Sequence, residues 1–179
     1  RKAMLDETRI FVTQMIRQDL PVLDLLHADY SYLNERLGWH YGVPELHGEK
    51  FVRTKVSPFH RGGLLGMGSI LARTSFPLRT SPVVRGHWLL KSVLGTPTPP
   101  PPDDVPPLPE EEAVAKTQTV RDRLQAHRDK PQCAACHDRI DPLGFALENF
   151  DPLGRWRTKD SHGLPIDNSA VIRNSPTFK

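Results

Sequence analysis

The pattern of hydrophobic and polar positions predicts a helical amino-terminal region. Apolar residues recur every three or four positions between Met4 and Ile16, which predicts an amphipathic helix that ends near Leu20. Shorter patterns predict helices over residues 22–28 and 32–41, the second closed by a glycine.

The middle of the chain alternates between short elements and glycine- or proline-rich segments. Residues 51–56 are typical of a short strand, and the glycine-rich segment 62–69 leads into a helical turn. Thr80-Ser81-Pro82 combines a hydroxyl cap with a proline at the first helical position, so it predicts a helix start. Gly95 is expected to end that helix.

Proline dominates residues 96–109. This stretch favours an extended polyproline II spacer between an amino-terminal helical unit and the unit that carries the cysteines, or, as an alternative, a docking ligand for a partner. A helix is predicted from Glu110 to about Arg128. A further short helix is predicted to start at Asp141-Pro142, and the tail from Arg155 to be loop or short strand.

The two cysteines of the chain lie in the segment Cys133-Ala-Ala-Cys136-His137. This C-x-x-C-H pattern is typical of covalent haem c attachment, in which both thiols add to porphyrin vinyl groups and the histidine ligates the iron. A thioredoxin-like dithiol would need a βαβ context, which is absent from the pattern here. A zinc site would need further cysteine or histidine ligands at recognisable spacing. A disulfide between the two cysteines is another alternative.

Composition narrows the classes of function. The net charge is +3, with 24 basic and 21 acidic residues, which is too thin a surplus to indicate nucleic-acid binding. Hydrophobic residues make up 37% of the chain and the mean hydropathy is -0.47, and no apolar run is long enough to span a membrane. Since haem c is normally attached outside the cytoplasm, we expect a periplasmic or otherwise exported protein, with residue 1 not its native start.

The sequence does not determine which residue is the sixth iron ligand. Met67 is our first candidate because the flanking glycines would let a flat ring approach closely. The histidine alternatives are His60, His87 and His127, and an open sixth position would permit peroxide or small-molecule chemistry.

Several motifs occur in the order found in a known family. They are RGGLL (61–65), RTSPV (79–83) with Arg85-Gly86, the proline tract, the cysteine motif, DPLGFALENF (141–150) and GRW (154–156). Together they resemble the third planctomycete cytochrome c domain family, found in large exported proteins. Residues 1–50 resemble the end of the planctomycete-specific domain that usually precedes it, and Ile166-Asp167 resembles the linker to a following domain.

The resemblance implies haem c binding and electron transfer, with no established substrate. By analogy with small cytochromes c, the Pro142 carbonyl is a candidate to accept a hydrogen bond from His137. Leu143 and Phe150 would wall the haem face. Arg79, Arg85 and Arg155 lie in the shared motifs and could pair with haem propionates, the alternative being exposed charge or helix capping.

The sequence therefore predicts a mainly α-helical protein, a small cytochrome c-like domain with long loops packed on an amino-terminal helical segment. We expect the preceding domain to end at residue 57, the haem domain to cover 58–158, and 159–179 to be a tail. The predicted function is single-electron transfer to a redox partner protein or to other domains of the same polypeptide. The alternatives are an oxidase or peroxidase-type enzyme and a module stapled by haem or zinc.

Overall fold

The structure, a computed structural model, describes residues 1–100, 116–128 and 131–172. Within these residues the protein is mainly helical, with seven α-helices and one two-stranded sheet. The chain divides into two compact units. The first comprises residues 1–79 with 150–156, and the second residues 80–149 with 157–179.

The first unit holds four helices and the sheet. Its elements are α1 (Lys2–Arg17), α2 (Asp24–His27), β1 (Tyr30–Leu33), α3 (Glu35–Tyr41), β2 (Val52–Lys55) and α4 (Gly68–Arg73), with 3-10 turns at Ser57–Phe59 and Leu64–Gly66. Strands β1 and β2 are antiparallel, with Tyr30 opposite Lys55 and Leu33 opposite Val52.

Helix α1 confirms the amphipathic pattern. Its buried positions Met4, Phe11 and Met15 follow helical spacing. Phe11 and Met15 pack in one core cluster with Met67, so segment 58–79 belongs to the same compact unit as the amino-terminal helix. The compact units divide at residues 79 and 80, and the domain boundary predicted at residues 57 and 58 stays a prediction.

Residues 30–42 differ from the helix predicted over 32–41. Tyr30–Leu33 pairs with Val52–Lys55 as a strand, and α3 begins only after Asn34. The Asn34 side chain accepts a hydrogen bond from the Leu37 amide at 3.0 Å, which caps α3. Gly42 ends the helix with φ of +82°, as predicted from the glycine. The pattern of neighbouring residues could not show that residues 52–55 would pair with residues 30–33.

The second unit contains α5 (Pro82–Trp88), a π-helical turn (Leu89–Val93), α6 (Val120–Arg128) and α7 (Pro131–Phe145). The predicted start of α5 is confirmed, because Ser81 Oγ accepts from the Val84 amide at 3.3 Å. Gly95 follows the π-helical turn with φ of +63°. Residues 101–115, with most of the proline tract and the start of the helix predicted from Glu110, lie outside the described residues.

Helix α7 shows that the predicted helix start at Asp141-Pro142 is wrong. Pro142 lies inside one continuous helix. A proline there lacks an amide for the helical hydrogen bond, which ordinarily breaks or kinks a helix. The compensating interaction is close packing against α5, which lies on the other side of the proline tract in sequence but in the same unit.

Two glycines permit this packing of α5 on α7. A Cβ added to Gly86 of α5 would overlap the Ile140 carbonyl oxygen, and one added to Gly144 of α7 would overlap the Pro82 carbonyl oxygen. Neither glycine has a positive φ. Both positions therefore require glycine because the backbones of the helices touch.

We expect Gly86→Ala and Gly144→Ala each to lower the free energy of unfolding by roughly 1–3 kcal/mol, the usual range for overpacking. Alanine is favoured over glycine in a helix by about 1 kcal/mol. A Gly→Ala change that lowers the free energy of unfolding therefore indicates a steric clash. Urea unfolding followed by circular dichroism measures the change. Gly66→Ala is the matched control because its added methyl meets only ordinary contacts at 3.5 Å. Unchanged or increased stability in both helix variants would contradict the close approach.

A buried acid lies in the first unit. Glu7 of α1 is 1% exposed. It accepts hydrogen bonds from Ser31 Oγ at 2.7 Å and from the Tyr41 hydroxyl at 2.6 Å. The Arg61 guanidinium lies 3.6 Å above the Tyr41 ring. Burial raises the pKa of Glu7 to about 7, although both hydrogen bonds and Arg61 act to lower it.

This pKa gives the first unit a pH-dependent stability. The folded state holds a proton on Glu7 from its ordinary pKa of 4.5 up to about 7, so the free energy of unfolding falls as pH rises through this window. The loss is at most about 3 kcal/mol, from the energy equivalent of the shift. Glu7→Gln should flatten this dependence in urea unfolding between pH 4.5 and 8, whereas exposed Glu49→Gln should preserve it. An equally steep dependence in Glu7→Gln would contradict the assignment.

Candidate cofactor-attachment site

The cysteine motif lies on α7. Cys133, Cys136 and His137 occupy positions i, i+3 and i+4 of this helix, which places all three on one face. Both cysteines are half-buried and neither forms a disulfide. The motif therefore presents two thiols outside any disulfide and one imidazole on a single helix.

Asp141 orients the histidine. His137 is 16% exposed, and its Nδ1 lies 2.9 Å from Oδ1 of Asp141, one helical turn further along α7. The Pro142 carbonyl, the candidate acceptor by analogy with small cytochromes c, accepts a hydrogen bond from the Ala146 amide at 3.2 Å. The available signal was the i, i+4 spacing of a histidine and an aspartate within a helix.

The donor set fits covalent haem c. Two thiols outside any disulfide lie on the same face of α7 as one imidazole. When Nδ1 donates its proton to Asp141, the neutral ring has an unprotonated Nε2, the tautomer that ligates iron. The site thus supplies two nucleophilic sulfurs and one nitrogen base from a single turn of helix.

Arg85 is engaged inside the second unit. Its side chain on α5 is fully buried and donates to the Leu147 carbonyl at 2.7 Å. It also pairs with Glu148 Oε1 at 3.4 Å. Glu148 further accepts from Thr80 Oγ1 at 2.7 Å and pairs with Arg157 at 3.6 Å. A role of Arg85 toward a propionate stays a prediction.

Burial raises the pKa of Glu148, and Arg85 is the strongest of the groups that lower it. The Glu148 carboxylate is stabilised by Arg85 and Arg157, because a buried carboxylate without a partner is strongly disfavoured. Arg85 is thus neither the exposed charge nor the helix cap that the sequence left as the alternatives.

The other two predicted propionate partners lie in the first unit, and both are exposed. The guanidinium of Arg79 lies 4.3 Å from the centre of the Phe76 ring. Arg155 Nε lies 3.3 Å from His40 Nδ1. A role of either arginine toward a propionate stays a prediction.

The candidates for the sixth ligand belong to both units. Met67 is buried in the core of the first unit, where its sulfur accepts a hydrogen bond from Thr8 Oγ1 at 3.4 Å. His60 is exposed in that unit and stacks on Trp156 with ring centres 4.3 Å apart. His87 lies on α5, with Nδ1 3.1 Å from Thr98 Oγ1.

His127 lies within α6, and its side chain falls outside the described residues. The residues predicted to wall the haem are divided between the units. Leu143 is half-buried on α7, in the unit of the cysteine motif. Phe150 is buried in the first unit, edge-on to Trp156 at 5.2 Å.

Two further observations concern metals and membranes. Across residues 1–100, 116–128 and 131–172, we find no group of three or more histidine, cysteine, aspartate or glutamate side chains placed to hold a metal ion. In the same part of the chain, every helix is too short or too polar to cross a bilayer.

The fold and site together define a mainly helical protein whose second unit presents a C-x-x-C-H motif on one helix. The chain matches two known family models. Residues 61–160 match PSCyt3, described as a protein of unknown function (DUF1588), and residues 1–43 match PSD4, described as a protein of unknown function (DUF1592). Because the first match covers more than half of the 179 residues, the chain belongs to the PSCyt3 family. No curated protein and no solved structure gave a significant match.

These names agree with the planctomycete cytochrome c resemblance at the level of the family. Their descriptions assign no function.

We expect Arg85→Met to lower the free energy of unfolding by about 3–5 kcal/mol, because it removes the fully buried cation that pairs with the buried Glu148 carboxyl. Exposed Arg79→Met should change it by less than about 0.5 kcal/mol. Urea denaturation of the two variants measures the difference. Equal effects would show that the buried ion pair contributes nothing particular to the second unit.

Proposed function

We propose that this chain binds one haem c covalently through Cys133 and Cys136, with His137 as an axial ligand, and serves as an electron-transfer module of a larger exported protein. The observation that carries the proposal is the placement of both free thiols and the imidazole on one face of α7. The bound haem would supply one-electron redox chemistry at iron.

The attachment step balances without an external oxidant. Each thiol would add across one vinyl group: a carbon–sulfur bond would form, the thiol hydrogen would go to the other vinyl carbon, and the double bond would become single. The protein supplies the spacing of the sulfurs, which the helical turn sets. Close packing of α5 on α7 supports the site, since it holds the carboxyl-terminal half of the helix that carries the motif.

The protein also orients the imidazole. Asp141 is fully buried and holds Nδ1 of His137 at 2.9 Å. A ligand fixed in this way does not need to reorganise when iron changes its charge, which favours rapid electron exchange.

Attachment is tested by producing the chain in a host competent in cytochrome maturation and measuring its intact mass. We expect the mass to increase by one haem, with a pyridine haemochrome spectrum of two thioether bonds. Cys133→Ala/Cys136→Ala should show the bare mass, whereas Ala134→Ser/Ala135→Ser, which changes the intervening residues, should retain the haem. A bare mass for the unaltered chain, with both thiols open to alkylation, would refute the proposal.

One observation favours a second candidate, an oxidase or peroxidase-type haem protein with an open sixth position. Met67, the first candidate for the sixth ligand, is packed in the core with Phe11 and Met15 and accepts a bond from Thr8. Carbon monoxide separates the two functions. A six-coordinate, low-spin haem that does not bind it supports the carrier, and a high-spin haem that binds it supports the enzyme.

A further inference from the structure

The contact between His137 and Asp141 is the most specific polar interaction of the candidate site. Exposed ion pairs at i, i+4 contribute about 0.3–0.5 kcal/mol and carry little information. This pair is different because Asp141 is 0% exposed and His137 is largely buried. A carboxylate in such a position is stabilised only by the groups it faces.

The surroundings of Asp141 leave His137 as its hydrogen-bond partner among the described residues. Oδ1 contacts Nδ1 of His137 at 2.9 Å. Oδ2 is buried without a hydrogen bond in the described part of the chain, and Arg128 Nε lies 4.0 Å from it. Arg128 is shared, since it also pairs with the exposed Asp138. The imidazole is therefore the group to which the carboxylate is aimed.

The backbone around Asp141 is held in place. Its neighbour Ile140 touches Gly86 of α5, and Gly144 touches Pro82. Pro142 follows directly and restricts the chain further. Asp141 thus lies on the part of α7 whose backbone packs directly against α5.

We infer that Asp141 is a positioning residue that makes His137 a more strongly donating iron ligand and thereby lowers the reduction potential. The inference rests on the proposed haem attachment. A carboxylate that accepts the Nδ1 proton gives the ring partial imidazolate character, which a neutral carbonyl acceptor does not do to the same extent. Greater electron donation stabilises ferric over ferrous iron.

The matched pair of variants is Asp141→Asn and Asp138→Asn. Asp141 and Asp138 both lie on α7, and each variant removes one carboxylate that faces Arg128 of α6. Only Asp141 contacts His137. Intact mass is measured first, so loss of haem from the unaltered chain would refute the proposed function. Loaded proteins are then titrated spectroscopically with redox mediators.

We expect Asp141→Asn to raise the ferrous-to-ferric ratio at a fixed ambient potential about tenfold, equivalent to a midpoint about 59 mV higher for one electron. Asp138→Asn should change the ratio less than about twofold. In a five-coordinate ferrous haem, the iron–histidine stretching band in resonance Raman spectra should also shift to lower frequency only in Asp141→Asn, a change that a purely structural role would not produce. In a six-coordinate, low-spin haem, which shows no such band, the midpoint is the deciding readout. Haem-loaded Asp141→Asn with an unchanged midpoint and band would overturn the inference.

A measurement on the unaltered chain keeps the inference testable if Asp141→Asn does not fold. Long-range proton–nitrogen NMR of the haem-free chain, at a pH where the ring is neutral, reports which nitrogen carries the proton. We expect His137 as the Nδ1–H tautomer. The Nε2–H tautomer would contradict donation to Asp141 and overturn the inference.

Discussion

The direct contact between the backbones of α5 and α7 is the constraint on which the second unit depends. Gly86 against Ile140 and Gly144 against Pro82 bring the two helices closer than any side chain would allow. This contact accounts for a proline in the interior of α7, since packing offsets the hydrogen bond that Pro142 cannot make. It also fixes the stretch that carries Asp141, and through Asp141 the ring of His137.

Each unit contains a buried carboxyl group with several polar partners. In the first unit Glu7 is enclosed by two hydroxyl donors, and burial raises its pKa to about 7. In the second unit Glu148 is enclosed by Arg85, Arg157 and Thr80. Such groups add little net stability relative to apolar packing, but removing one partner is strongly unfavourable. They therefore favour a single arrangement of the elements that carry them.

The local signals in the sequence were accurate where the cause is local. The amphipathic spacing of α1, the cap at Ser81 and the glycine end of α3 each depend on neighbours within one or two turns. The strand at residues 30–33 was missed because its partner lies about twenty residues further along. The helix start predicted at Asp141-Pro142 was wrong for a related reason, since the packing that offsets the hydrogen bond missing at Pro142 comes from α5.

At the candidate site, the sequence by itself determined which functional groups are present: two thiols and an imidazole at positions i, i+3 and i+4. It also determined the family, since the order of its motifs is a property of the chain. Only the tertiary structure decided that Arg85 is buried against Glu148 and that Asp141 holds the histidine. Burial decides which polar groups must find partners, and burial arises from contacts between segments that a reading of neighbouring residues does not contain.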